Sequence, residues 1–277
     1  MEYILEPTVR QKMRKMLRIR SAAVTQQGKS RRENQDAVFH WSGQTEMGQN
    51  IGLYIVCDGL SGHQAGGIAS RLAVEMVTAD LIPALKSAGS LAMADPAGPT
   101  SDEMGEWIEA AIAKANAKIF RDARYHRSAS NMGTTITLAM IYDQRVEIAN
   151  VGDSRTYHWR VPQLTQITHD HSYVAALVAR GLIRESEAAT HPKGNLILRA
   201  LGIDERVKVD LFSREVEPGE KLLLCSDGLW RAFPEPAELG RWFFAPISPA
   251  ELCQQLSTES YRRGGTDDSS AVVVTVS

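Results

Sequence analysis

The feature that most constrains the fold is a set of apolar, strand-like runs that each meet an acidic residue. The first run covers residues 51–57 and stops at Asp58-Gly59. The same arrangement recurs at Gly152-Asp153, at Asp227-Gly228 and at Asp267-Asp268. An acid at the end of a buried strand is costly unless its charge is paired, so several of them predict that cations are held there. Gly59 lets the backbone pass close to whatever Asp58 holds.

Composition excludes several classes of protein. The 277 residues suit one large domain or two small ones, and 43% hydrophobic with 23% charged residues is ordinary for a soluble globular chain. A net charge of -2 argues against a general nucleic-acid binder. No apolar run approaches the ~20 residues of a membrane helix, and no signal peptide is recognisable. Cys57, Cys225 and Cys253 lie in strand-like or helix-like runs, which favours reduced, buried thiols and a cytoplasmic location.

The periodicity predicts an α+β protein with about ten short strands, two long helices and several short ones, without regular βαβ alternation. The long helices are expected over residues 66–85, where Pro83 should bend or end the helix, and over residues 103–126. Residues 1–17 form a basic N-terminal extension, interpreted as a loosely held terminus, with a docking or membrane-surface arm as the alternative. Residues 170–195 are predicted to be an inserted helical flap.

Five acids are candidate ligands for hard divalent cations, which prefer carboxylate, carbonyl and water oxygens. They are Asp36, Asp58, Asp227 and Asp267, with Asp153 as the weaker fifth. Two such ions about 4 Å apart, bridged by water, would create a hydroxide at neutral pH. Arg31 lies in the same turn as Asp36, where a guanidinium could grip phosphate oxygens. Together these residues indicate phosphate-ester hydrolysis, although any single Asp-Gly is more often an ordinary turn.

Eight short motifs occur in one order along residues 20–277, and on them the chain resembles the metal-dependent protein phosphatases. This is the PPM family of type 2C serine/threonine phosphatases, and the likeness is to its bacterial members in particular. The motifs are Gly28-x-x-Arg31-x-x-Asn34-Gln35-Asp36, Asp58-Gly59-x-x-Gly62-His63-x-x-Gly66, Met132-Gly133-Thr134-Thr135, Asn150-Val151-Gly152-Asp153-Ser154-Arg155, Thr168-x-Asp170-His171-Ser172, Arg199-Ala200-Leu201-Gly202, Ser226-Asp227-Gly228 and Gly264-Gly265-Thr266-Asp267-Asp268.

The resemblance implies a four-layer αββα sandwich, in which two central, mostly antiparallel β-sheets are flanked by helices. It implies one catalytic domain over residues 18–277, with the flap at about residues 170–195 as a subdomain beside the site. The implied activity is hydrolysis of phosphoserine and phosphothreonine on proteins, using two Mn2+ or Mg2+ ions. The implied partners are phosphorylated protein substrates and a bacterial serine/threonine kinase whose action the enzyme reverses.

The resemblance also implies a role for each site residue. Asp58 bridges both metals, Gly59 lends its carbonyl, Asp227 and Asp267 bind one metal, Asp36 holds the other partly through water, and Arg31 binds the substrate phosphate. The bridging hydroxide would attack phosphorus in line, without a covalent phosphoenzyme. His63 is a candidate acid for the leaving group, and is equally interpretable as a structural hydrogen-bonding residue.

The sequence departs from the family pattern at Arg231 and Asp268. Many members carry an acid at the position of Arg231 that helps to bind a third metal, and an arginine cannot ligate a cation. This argues against a third metal at Asp153, which would then stabilise its own turn with Ser154 and Arg155. Asp268 replaces a usual Asn and adds a negative charge near the metals. Both departures keep open an alternative, a catalytically weak or silent regulator that retains the fold and binds phosphoproteins.

Overall fold

The computed structural model describes residues 17–60, 65–88, 98–125, 132–188 and 190–277. The predicted extension over residues 1–17, apart from its last residue, lies outside these ranges. The candidate acid His63 also lies outside them.

Short antiparallel strands dominate the described part of the chain. They are β1 (Ile19–Gln26), β2 (Ala37–Gln44), β3 (Asn50–Cys57), β4 (Gly59–Leu60), β5 (Gly133–Thr134), β6 (Ile136–Tyr142), β7 (Arg145–Val151), β8 (Arg155–Arg160), β9 (Gln163–Gln166), β10 (Asp210–Glu215), β11 (Lys221–Cys225) and β12 (Ser269–Val276). The strand β10 begins at Asp210 and ends at Glu215. Its register against β7, from Asp210↔Asn150 to Glu215↔Arg145, sets these bounds.

Two long helices and several short ones complete the described secondary structure. They are α1 (Ala65–Ala88), α2 (Ser101–Tyr125), α3 (Tyr173–Ala179), α4 (Glu185–Ala188), α5 (Asp227–Trp230), α6 (Pro236–Arg241), a 3-10 turn (Trp242–Phe244) and α7 (Pro249–Arg262). Of the two effects expected of Pro83, an end of the helix at that residue is wrong, because α1 continues to Ala88. Leu81 and Leu85 on either side of Pro83 are buried, so their packing offsets the hydrogen bond that proline removes.

Two five-stranded antiparallel sheets form the centre of the domain. The first has the order β1-β12-β11-β8-β9 and the second the order β10-β7-β6-β3-β2. Side chains such as Tyr54, Ile148 and Val272 fill the space between the sheets. A second apolar layer joins α1 and α2 to the second sheet, and a third joins α6 and α7 to the first sheet. The predicted αββα sandwich is therefore confirmed.

Strand register brings the acidic strand ends to one end of the sandwich. In the second sheet Ala37 pairs with Cys57, so the residues before β2 and after β3 are neighbours. In the first sheet Cys225 pairs with Ala271, which places the residue after β11 beside the segment before β12. No helix in the described ranges is both long enough and apolar enough to span a bilayer.

Candidate active site at the strand ends

Asp58 is held at the end of β3 through its backbone. Its amide N–H donates to Thr135 Oγ1 (3.0 Å). Its carbonyl oxygen accepts from the amide of Thr135 (2.9 Å) and from Thr134 Oγ1 (2.9 Å). Both threonines belong to a motif quoted above, for which the sequence suggested no role. They fix the peptide that carries the Asp58 carboxylate.

The Asp58 carboxylate lies at the centre of the acidic cluster. Burial raises its pKa well above the ordinary value for aspartate, and nearby negative charges raise it further. Those charges belong to Asp36, Asp227, Asp153 and Asp267. The structure thus brings together all five acids that the sequence singled out, from five separate strand ends.

Asp36 faces this cluster from the turn before β2. The Ser226 hydroxyl donates to Asp36 Oδ2 (2.7 Å), while the other carboxylate oxygen, Oδ1, is buried without a hydrogen-bond partner. Burial raises the pKa of Asp36 to about 7, and the charges of Asp268 and Asp227 contribute to the rise. Ser226 was part of a quoted motif, but only the fold shows that it orients Asp36.

Asp227 and Asp153 share the guanidinium of Arg231. Nε of Arg231 is 3.0 Å from Asp227 Oδ2, and its Nη2 is 3.6 Å from Asp153 Oδ2. Burial raises the pKa of both carboxyl groups, that of Asp153 to about 7. The Oδ1 atoms of both are buried without a hydrogen-bond partner. The Asp153 carboxylate thus faces Arg231.

The turn partners expected for Asp153 contact other residues. The Ser154 hydroxyl hydrogen-bonds with that of Thr135 (2.7 Å). Arg155 donates to both carboxylate oxygens of Asp170 (2.9 and 2.8 Å). The interpretation that Asp153 stabilises its own turn with Ser154 and Arg155 is therefore corrected, because both side chains bond elsewhere.

Arg31 and Asp267 form a bidentate ion pair at the rim of the cluster. Nε of Arg31 donates to Asp267 Oδ1 (2.7 Å) and Nη2 donates to Oδ2 (2.6 Å). Both side chains are about one-third exposed, at 36% and 35%. The hydrogen bond to Asp267 raises the pKa of Arg31 above its ordinary value. The residue expected to bind phosphate therefore lies at the site, engaged with a candidate metal ligand.

Asp268 closes the turn that carries Arg31 and Asp36. It is buried, and its two oxygens accept from the backbone amides of Gly28 (2.9 Å) and Gln35 (2.8 Å). A carboxylate can accept at both positions, whereas an asparagine side chain has one acceptor oxygen. The extra acid therefore has a structural partner on each oxygen, which its sequence position did not reveal.

The flap is anchored beside the cluster by Asp170, His171 and Ser172. Asp170 accepts both hydrogen bonds from Arg155 described above. The backbone amide of Gly152 donates to His171 Nδ1 (3.0 Å), and Ser172 caps α3 by accepting from the amide of Ala175 (3.3 Å). Burial lowers the pKa of His171, which favours the neutral ring that this contact requires. These three contacts fix the start of the flap beside the strand ends.

The donor set suits hard divalent cations. One carboxylate oxygen of each of Asp36, Asp153 and Asp227 is buried without a hydrogen-bond partner, and burial raises the pKa of all three groups. In the described ranges, no three acidic, His or Cys side chains come close enough to one point to form a closed metal site. The described acidic side chains fit Mg2+ or Mn2+, which prefer oxygen ligands.

Comparison with known proteins agrees with the fold. A family model described as Protein phosphatase 2C matches residues 25–262, so the chain belongs to the protein phosphatase 2C family. It is 34% identical, over 90% of its length and 93% of the relative's, to the serine/threonine phosphatase stp of Listeria monocytogenes. The predicted class, a serine/threonine protein phosphatase, is confirmed.

Solved structures show the same architecture. The serine/threonine phosphatase of S. agalactiae superimposes with a TM-score of 0.79 at 30% identity, covering 94% of this chain and all of that one. The catalytic domain of the phosphatase PstP, solved in complex with two manganese ions, gives 0.75 at 31% identity, covering 94% of this chain and 99% of that one.

Proposed function

We propose that this chain hydrolyses phosphoserine and phosphothreonine in proteins with the help of two divalent metal ions held by the acidic cluster. The observation that carries the proposal is the position of Asp58, which is partly buried and near the charges of four other carboxylates. Bound cations would balance the charge of such a cluster at neutral pH. The resemblance assigns the same acids to metal binding, which gives the proposal independent support.

In this proposal Asp58 would bridge the two ions, with Gly59 contributing its carbonyl oxygen. Asp227 and Asp267 would hold one ion and Asp36 the other. Bound divalent ions supply the Lewis acidity that makes water a nucleophile at neutral pH.

In this proposal Arg31 exchanges its hydrogen bonds to Asp267 for hydrogen bonds to the substrate phosphate. This exchange is possible because two guanidinium donors can bind two oxygens of either a carboxylate or a phosphate. The Ser226 hydroxyl keeps Asp36 oriented while this happens. Asp153 holds no third ion in this proposal, because the guanidinium of Arg231 already faces it.

Three finer points extend the proposal. The all-oxygen ligand set accepts either Mn2+ or Mg2+. A serine/threonine kinase supplies the phosphorylated substrates. The enzyme acts in the cytoplasm, where the free thiols of Cys57, Cys225 and Cys253 would stay reduced.

The test is hydrolysis of a phosphothreonine peptide with Mn2+, with Mg2+ and with excess chelator. We expect metal-dependent turnover that the chelator abolishes and that Asp58→Asn lacks. Asp80→Asn is the matched control, because Asp80 pairs with Lys114 on a helix surface away from the cluster. No turnover by folded wild-type protein in any metal would overturn the proposal, and phosphopeptide binding without turnover would favour the regulator.

A further inference from the structure

Arg231 contacts two separate parts of the molecule. On one side its guanidinium is the cation nearest to Asp227 and Asp153 in the ion pairs described above. These acids follow different strands in different sheets, β11 and β7. Since Asp153 is only 2% exposed, a positive charge beside it offsets part of the cost of burying its carboxylate.

On its other side the same guanidinium reaches the returning segment of the flap. Nη1 of Arg231 donates to Asn195 Oδ1 (2.5 Å), and Nη2 donates to the carbonyl oxygen of Gly194 (3.3 Å). A guanidinium can make these contacts at the same time because its N–H donors lie on three nitrogens in one plane. A lysine has only one ammonium nitrogen.

The returning segment is tied to the base of the flap at its other end. The amide of Leu198 donates to the carbonyl of His171 (2.7 Å), and the amide of Tyr173 donates to the carbonyl of Leu196 (2.8 Å). His171 in turn donates its own amide to the carbonyl of Gly152, next to Asp153 (2.9 Å). The segment is thus attached on one side through His171 and on the other through Arg231.

Trp230 supports the arginine in this position. The Arg231 guanidinium lies 4.9 Å from the centroid of the Trp230 ring, and the Arg155 guanidinium lies 3.4 Å from it. The indole N–H donates to the carbonyl of Asp153 (2.9 Å). The tryptophan therefore contacts both arginines that join the flap to the strand ends, since Arg155 holds Asp170 at the flap base.

We propose that Arg231 is a positioning residue that holds the flap against the acidic cluster. It is the counter-ion of Asp153 and Asp227, and its hydrogen bonds order residues 194–195. The flap then presents one surface to the protein that carries the phosphorylated side chain. The predicted effect of Arg231 on substrate binding rests on the proposed function. Its predicted effect on the order of the flap does not, because that can be measured without turnover.

The first measurement is amide hydrogen exchange of the flap in Arg231→Met and Arg231→Lys, each with and without metal. Met roughly keeps the length of the side chain without its charge. Lys keeps the charge but lacks the planar set of N–H donors. We expect exchange at the amides of Leu196 and Leu198 to rise about tenfold in both variants, the factor for losing one to two hydrogen bonds. Arg184→Met is the control, because Arg184 is an exposed flap residue paired with Glu187.

The second measurement separates positioning from general damage. We expect Arg231→Lys to raise KM for a phosphothreonine peptide by a larger factor than KM for p-nitrophenyl phosphate, which is too small to span the flap. Exchange rates at Leu196 and Leu198 that stay at the wild-type level in Arg231→Met would overturn the positioning role of Arg231. Equal changes in the two KM values would also overturn it. Absence of turnover in the wild-type protein would refute the proposed function. The hydrogen-exchange result would still show whether Arg231 orders the flap.

Discussion

Asp36 should make the metal-free protein less stable as the pH rises, which is the reverse of an ordinary salt-bridged carboxylate. Its pKa is raised from 3.8 to about 7, chiefly by burial. Between these values the folded protein keeps a proton that the unfolded chain has lost, so the free energy of unfolding falls with increasing pH. A difference of about three pKa units at 1.36 kcal/mol each corresponds to roughly 4 kcal/mol, fully expressed above about pH 7.

Other titratable groups act over the same range. The raised pKa values of Asp58, Asp153 and Asp227 add slopes of the same sign as that of Asp36. The carboxyl groups with lowered pKa, such as Glu259 and Glu220, are ionised in both states above about pH 5 and add no slope there. The lowered pKa of His171 adds a slope of opposite sign below about pH 6.5, because the unfolded chain binds that proton more readily. The difference between wild type and Asp36→Asn therefore measures Asp36 together with its effect on the pKa of Asp58.

The assay is urea unfolding at pH 5, 6, 7 and 8 in the presence of chelator. Asn keeps an acceptor for the Ser226 hydroxyl but carries no charge, so Asp36→Asn should gain stability relative to wild type as the pH rises. Adding Mn2+ or Mg2+ should reverse the order at pH 7, because the ions stabilise the wild-type carboxylate. A difference between the two proteins that stays constant from pH 5 to 8 would refute the reasoning, and Asp80→Asn should follow wild type throughout.

Three further substitutions test individual roles. Asp58→Asn should abolish turnover while leaving the circular dichroism spectrum unchanged, and wild-type turnover in that variant would exclude a two-metal role. Arg31→Ala should mainly raise KM for phosphopeptides through loss of a phosphate contact, whereas an unchanged KM would place Arg31 outside the site. Asp268→Ala should lower the free energy of unfolding by roughly 2–4 kcal/mol, because the buried amides of Gly28 and Gln35 lose their acceptor. A loss below about 0.5 kcal/mol in urea unfolding would contradict this last assignment.

The sequence predicted the fold class and the acids, because both leave a local signature. A buried strand is an apolar run, and an acid at its end is visible without any partner. The pairing of strands is not local. That Ala37 lies opposite Cys57, and Cys225 opposite Ala271, is decided by packing across the whole domain. The convergence of the acids could therefore be suggested only by chemistry and by resemblance.

The details that sequence reasoning missed depend on tertiary contacts. Pro83 should end a helix by local rules, but Leu81 and Leu85 bury against the second sheet and the helix continues. Asp268 hydrogen-bonds to amides 240 and 233 residues away, which no local pattern reports. Asn195, the partner of Arg231, lies in the segment predicted to be a helical flap, whose sequence does not show which strand end it contacts.

The pairing of β1 with β12 determines where attachments leave the domain. Arg18 and Ser277 exchange backbone hydrogen bonds of 2.6 and 2.9 Å, so these two residues are neighbours. They lie beyond the Ile19–Val276 pair, at the opposite end of β12 from Asp267. An eight-residue strand spans roughly 25 Å. A protein immobilised through Ser277 would therefore present its acidic cluster away from the support, where a protein substrate could reach it.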